Sequence, residues 1–230
     1  MVKNVNITTF PSLYDLIAPH SCLGCNHIGT ILCDRCKNYI IAHHKNICPC
    51  CKRLKSTAIC STCDDLPPIY VAGERSDLLN DLIHELKYNS NRSVARELAD
   101  ILHHILPSDL PKDTCLVPLP TSTRHIRERG LDHTLLIAKH LARLRGWRIA
   151  RPLERAKNTV QVGSSKSTRL SQADAAYEVS STFTPDPNAS YLLLDDVWTT
   201  GATMRAAVRK LQNTGAHDVR ICLVSYSVLD

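Results

Sequence analysis

Apolar residues recur in two rhythms along the last two-thirds of the chain. Short apolar runs alternate with segments that repeat every three to four positions. "IYVAGER" (69–75) predicts a strand. "SDLLNDLIHELKY" places Leu78, Leu79, Leu82, Ile83 and Leu86 on one face of a helix, with Ser76 as its N-cap. "SVARELADILHHIL" predicts a second helix that stops near Pro107. "CLVPL" is a short strand running into "PTSTRHIRERG", and "LDHTLLIAKHLARLRG" is a helix with a glycine stop. "NTVQVGSSKSTRLSQADAAYEV" starts polar and loop-like and then turns helical. "SYLLLDDV" predicts a buried strand. "ATMRAAVRKLQNTGA" predicts a helix with Met204, Ala207, Val208 and Leu211 inward, and "VRICLVSYSV" a last strand. Strands alternating with helices predict an α/β domain with a mostly parallel sheet.

The first third has another texture. Residues 1–17 form a short lead-in with Phe10, Leu13 and Leu16 as apolar anchors. Nine of the 11 cysteines then lie between Cys22 and Cys63. Eight form four identical units: Cys22 with Cys25, Cys33 with Cys36, Cys48 with Cys51, and Cys60 with Cys63. Two residues between thiolates let both sulfurs reach one ion, the spacing of a zinc knuckle. "CLGCNHIGTILCDRC" and "CPCCKRLKSTAICSTC" repeat one pattern, so each copy can close a four-cysteine site by itself. Two sequential zinc ribbons are the favoured pairing, with a cross-braced pairing of the first unit with the third as the alternative. Cys50 is left over. His27, His43 and His44 are either substitute ligands or surface histidines. Four cysteine ligands leave no open position, so the expected metal is structural. "DDLPP" (64–68) is a turn that marks a boundary, with residues 1–66 ahead of it and an α/β domain over 67–230.

Composition adds limits. Of 230 residues, 43% are hydrophobic and 5% aromatic. No apolar run reaches the ~20 residues of a membrane span. The N-terminus has no long apolar stretch before a small-residue cleavage site, so the expected location is cytoplasmic. The net charge is +6, and the excess of Lys and Arg is concentrated between His84 and Lys157. Such a basic middle suits phosphate or nucleic acid, or is an ordinary solvated surface.

The densest chemistry is in "YLLLDDVWTTGATMRAAVRKL" (191–211). A buried strand ends in Asp195 and Asp196. Thr199, Thr200, Gly201, Ala202 and Thr203 follow and open a helix. Such a turn can wrap backbone N–H groups around an anion at a helix N-terminus. The two carboxylates need donors instead, such as ribose hydroxyls or a bound Mg²⁺. Pair and turn together describe a site for ribose 5-phosphate, or else a helix cap without ligand. Trp198 either stacks on a ligand or plugs the core.

This stretch resembles the phosphoribosyl-pyrophosphate signature of type I phosphoribosyltransferases. With the four cysteine pairs, "LIHELKYNSNRSVARELADIL", "LVPLPTSTRHIRERG" and "TVQVGSSKSTRL", the chain resembles the ComF family of double-zinc-ribbon competence proteins, over about residues 20–226. The resemblance implies a type I phosphoribosyltransferase-like domain preceded by a small zinc-ribbon domain. It also implies Mg²⁺ brought in with phosphoribosyl pyrophosphate. Lys87 would reach a phosphate and residues 117–120 would form the pyrophosphate loop. Arg124, Arg127 and Arg129 would meet pyrophosphate or nucleic-acid phosphate, unless they are a solvated helix start. Arg155, Thr159, Gln161 and Arg169 would belong to a lid over the site. Two features depart from the family pattern. Asp132-His133 replaces the usual Asn-Gln, with His133 read as a helix-surface histidine or an acid–base group. Ser164-Ser165 stands where a leucine usually packs the lid. As function, the resemblance implies handling of single-stranded DNA during uptake, with a DNA-uptake helicase among the partners. The intact acidic pair and turn also fit an active phosphoribosyltransferase acting on an unidentified nucleophile.

Overall fold

The structure, a computed structural model, describes residues 20–63, 65–75, 77–156 and 176–227. The elements begin with α1 (Asp34–Ala42), β1 (Ile69–Glu74), α2 (Asp77–Tyr88) and α3 (Ser93–Ile105). Then come β2 (Cys115–Pro118), α4 (Thr123–Arg129), α5 (His133–Arg145) and β3 (Arg148–Ile149). The series ends with β4 (Leu153–Arg155), β5 (Tyr177–Val179), β6 (Ser190–Trp198), α6 (Ala202–Gln212) and β7 (Asp218–Tyr226).

Five strands form one sheet in the order β1-β7-β6-β2-β3. Every neighbouring pair is parallel, as the alternation of strands and helices predicts. Alternate side chains on each strand feed opposite faces. Leu192, Leu194, Cys222 and Val224 pack with α2, α3 and α5. Tyr191, Leu193, Ile221 and Leu223 pack with α6. Met204, Ala207, Val208 and Leu211 are buried, as their spacing predicts. The chain leaves β2 on the α5 side toward β3 and leaves β6 on the α6 side toward β7. The order therefore reverses between β2 and β6, where an open parallel sheet has its ligand crevice.

Several elements differ from the sequence-based expectation. A nine-residue helix, α1, lies among the cysteines, where the close spacing of metal-ligating residues hides its periodicity. "TRHIRER" forms its own helix, capped by Ser122 and ended by Gly130 at φ 69°. Tyr177–Val179 is a strand rather than the end of a helix, because it pairs antiparallel with β4. The rest of the expected helix before it, and Ser76 as an N-cap, lie outside the described residues.

The two cysteine segments sit on opposite faces of the sheet. Cys22, Ile31 and Leu32 join the core that contains α3. Lys37, on α1, places Nζ 2.7 Å from both Glu97 and Asp100 of α3. Cys48, Cys60, Cys63 and Leu66 join the other core, with Ile69 and Val71. His44, between the two segments, and Lys55, within the second, cover the outer edge of β1. His44 Nε2 lies 2.9 Å from the Val71 carbonyl, and Lys55 Nζ donates to the Ile69 carbonyl at 2.6 Å. Those groups would otherwise stand unpaired on an edge strand.

Because each segment shares a core with the sheet, stripping metal from the cysteines is expected to destabilise the whole chain. Binding of a structural zinc contributes about 10–16 kcal/mol to folding. The expected outcome is a lower melting temperature after chelation, seen in the emission of Trp147, which belongs to the α3 core. Release of two metal equivalents with no change in the Trp147 melting curve would show that the segments unfold on their own.

Candidate functional site

β6 extends to Trp198, so Asp195 and Asp196 lie within the strand rather than at its end. Its neighbour β2 pairs only as far as Leu194. Past that point one side of β6 is open, and the pair faces a cleft of about 200 Å³. Being consecutive on a strand, the two carboxylates leave it on opposite faces. Asp196 enters the α2–α5 side. Its Oδ2 is ion-paired with Lys87 Nζ and lies 3.0 Å from His133 Nε2. Burial alone would push this carboxyl up, but His133 and Lys87 hold it well below the usual carboxylate range. Asp195 has less help: its Oδ1 accepts from the Asp196 amide at 2.9 Å, and the Lys87 charge reaches it. Burial, and then the neighbouring Asp196 charge, push its pKa up to about 8. One carboxyl is thus held ionised and the other is poised near neutrality.

The cleft also takes Leu119, Pro120 and Thr121 from the turn after β2, and Thr203 from the start of α6. The Leu119 amide donates to the Leu194 carbonyl at 2.9 Å, which sets this turn beside the acidic pair. Of the three arginines, only Arg129 lines the cleft, its guanidinium 5.3 Å from the Tyr88 ring centre. Arg124 and Arg127 are exposed on α4, and Arg124 pairs with Glu128 at 2.7 Å. Their spacing on one short helix forces this split. Arg155 lines the cleft, donates to the Pro120 carbonyl at 3.1 Å and lies over the Tyr177 ring. The other expected lid residues, Thr159, Gln161 and Arg169, lie outside the described residues, as do Ser164 and Ser165.

His133 is buried at 5% exposure rather than on a helix surface. Asp132 caps α5 by accepting from the Leu135 amide, which directs the first helical side chain into the sheet end. Asp132 also accepts from Thr121 Oγ1 at 3.0 Å. The Asp-His pair therefore ties the β2 turn to α5 and supplies Asp196 with a partner. The capping position of Asp132 is legible in the sequence, but the carboxylate that His133 meets is not.

The Thr199–Thr203 turn leaves Thr199 and Thr200 exposed. Gly201 has φ 75°, and a Cβ there would come within 2.0 Å of the Trp198 ring. Trp198 is buried in the α6 core, so it plugs the core. Gly201 is thus required first by positive φ and the indole beneath it.

The cysteines form two groups, Cys22, Cys25, Cys33 and Cys36, and Cys48, Cys51, Cys60 and Cys63. Within each, all sulfurs lie within 4.8 Å of one another. Four sulfurs about 2.3 Å from one ion stand roughly that close, so both groups fit a tetrahedral zinc. The grouping is sequential rather than cross-braced. The Cys33 amide lies 3.3 Å from Cys22 Sγ. Burial raises the Cys22 pKa, but backbone amides outweigh it and bring it to about 6, which favours a thiolate. His27 and His43 are exposed outside the groups, and His44 serves β1. Cys50 is exposed, 3.1 Å from an Arg205 nitrogen.

The two aspartates should respond oppositely to mutation. Asp195 is raised in the folded state, so its stabilising contribution is complete below about pH 4 and is lost as pH rises toward 8. Asp195→Asn removes that loss, so the variant should melt higher than the parent at pH 8.5, with a smaller gain at pH 6. Asp196 is depressed, so its contribution persists at both pH values. Asp196→Asn strands Lys87 and His133 and should cost about 3 kcal/mol at either. Gly201→Val should cost about 3 kcal/mol through strain and overlap with Trp198. Thermal melts at the two pH values check all three. A parallel shift for both Asn variants would contradict the assigned environments.

No protein-family model matches the chain. Along 196 residues it is 26% identical to competence protein ComFC of Bacillus subtilis (strain 168), covering 80% of this chain and 79% of that protein. A hypoxanthine phosphoribosyltransferase from Staphylococcus aureus superposes with a TM-score of 0.35 and 14% identity, covering 63% of this chain and 76% of that one. The chain is similar to competence protein ComFC over four-fifths of its length, with two four-cysteine groups built onto a parallel α/β sheet.

Proposed function

We propose that the cleft binds phosphoribosyl pyrophosphate or ribose 5-phosphate, and that the protein handles single-stranded DNA in natural transformation. The observation that carries the site is the meeting of Asp195, Asp196, Lys87, Arg129 and Thr203 in one cleft at the β2–β6 crevice. In this reading the Thr199–Thr203 turn holds the 5-phosphate with amides and hydroxyls, and the carboxylates accept from the ribose hydroxyls. Arg129 and the turn after β2 take the pyrophosphate. Lys87 is shared between Asp196 and an incoming phosphate. The oxygen donors fit Mg²⁺: Asp196 Oδ2 is already engaged by Lys87 and His133, so Asp195 is the carboxyl available to it. The ion would neutralise charge on the pyrophosphate.

The role in DNA handling rests on the likeness to ComFC and on the basic exposed face of α4. Arg124 and Arg127 lie there, outside the cleft. They are the candidate phosphate contacts for a single strand. A DNA-uptake helicase is the protein partner this role calls for. A second reading is favoured by the Asp195 carboxyl, whose pKa of about 8 suits proton transfer near neutral pH. It makes the protein an active phosphoribosyltransferase, and release of pyrophosphate with candidate nucleophiles tests it.

Calorimetric titration with phosphoribosyl pyrophosphate and single-stranded DNA tests the main reading. The Arg124→Ala, Arg127→Ala double variant should lower the salt slope of DNA binding by about 0.7 for each lost contact. It should leave binding of phosphoribosyl pyrophosphate unchanged. Asp195→Asn should do the reverse. A parent that binds no phosphoribosyl pyrophosphate with Mg²⁺ present sinks the site. An unchanged slope in the double arginine variant sinks the DNA-binding face.

A further inference from the structure

We propose that Arg205 is a positioning residue that ties the second four-cysteine group to the Thr199–Thr203 turn. The turn's hold on a phosphate then depends on metal in that group and not in the first. The inference rests on the reading of the turn as a phosphate site.

Arg205 lies in the first turn of α6, and its amide donates to the Gly201 carbonyl at 2.9 Å. Among the described residues its guanidinium has these contacts. It is ion-paired with Asp65, donates to Cys50 Sγ at 3.1 Å, and lies 5.8 Å from the centre of the Trp198 ring. Cys50 sits between the ligand positions Cys48 and Cys51, and Asp65 follows Cys63 by two residues. Both anchors belong to loops whose course the metal sets, since a four-thiolate site is assembled with its ion. On the other side, Trp198 fills the space beneath Gly201. A polar path from metal to turn therefore runs through Arg205, itself only 17% exposed.

The two cysteine groups differ in this respect. Cys48, Cys60 and Cys63 share a core with Trp198 and Met204. The first group packs in the other core, which contains neither. A guanidinium suits the task because its planar fork can meet a carboxylate, a sulfur and a ring face at once, which a lysine cannot.

The test uses the metal-loaded full chain with Trp147→Phe, so that Trp198 is the sole indole. Arg205→Gln should keep two zinc ions per chain, shift the Trp198 emission, and weaken ribose 5-phosphate binding about tenfold. Arg205→Lys should recover less than half of that loss in log units. Removing metal from the second group with Cys48→Ser and Cys51→Ser should reproduce the emission shift. Removing it from the first with Cys25→Ser and Cys36→Ser should not. Unchanged emission and ribose 5-phosphate affinity in Arg205→Gln overturn the proposal, whatever the cysteine variants do. If the parent binds no ribose 5-phosphate, the reading of the cleft fails, and the Trp198 emission still decides whether Arg205 transmits the state of the second group.

Discussion

A buried carboxylate must be given a partner, and the arrangement around Asp196 follows from that requirement. Left alone at 7% exposure, its charge would be strongly disfavoured. Lys87 at the end of α2 and His133 at the start of α5 both converge on one of its oxygens. This contact draws two helices to the carboxyl end of β6 and places Arg129, just before α5, beside the cleft. Asp195, one residue away on the opposite face, is also reached by the Lys87 charge, but burial and the Asp196 charge outweigh it. Two identical neighbouring side chains therefore acquire opposite protonation tendencies from the alternation of a strand.

The cysteine segments solve a different problem. Neither could bury enough apolar surface to fold by itself, as is usual for segments of this size. Four thiols around one ion would supply local structure, and the few apolar residues left over are spent on the faces of the sheet. One segment reinforces the α3 side, anchored by Lys37 between two carboxylates. The other reinforces the α6 side and reaches Ser227 through Lys52, whose ammonium also sits 4.4 Å from the Tyr226 ring centre. Between them they cover an edge strand that would otherwise offer free backbone groups.

Much of this was legible in the residues. The strand–helix alternation predicted a parallel sheet, and the helical spacings named the buried faces of α2 and α6. The four Cys-x-x-Cys units predicted two metal-ligating groups, because that spacing brings two sulfurs to one point whatever the surroundings. The order of acidic pair and small-residue turn pointed to the end of β6, where Asp195, Asp196 and Thr203 line the cleft. Local rules carried these inferences, since each depends on residues a few positions apart.

What the tertiary structure decided are the long-range meetings. The sequence could not say that His133 points inward, that only Arg129 of three arginines reaches the cleft, or that Gly201 must spare room for Trp198. Nor could it choose sequential over cross-braced cysteines, or give Cys50 a neighbour in Arg205, 155 positions further on. Helix and strand periods say which face a residue occupies but not what stands opposite. That depends on which strand ends first, and here β2 stops pairing at Leu194 and leaves Asp195 and Asp196 facing the open crevice.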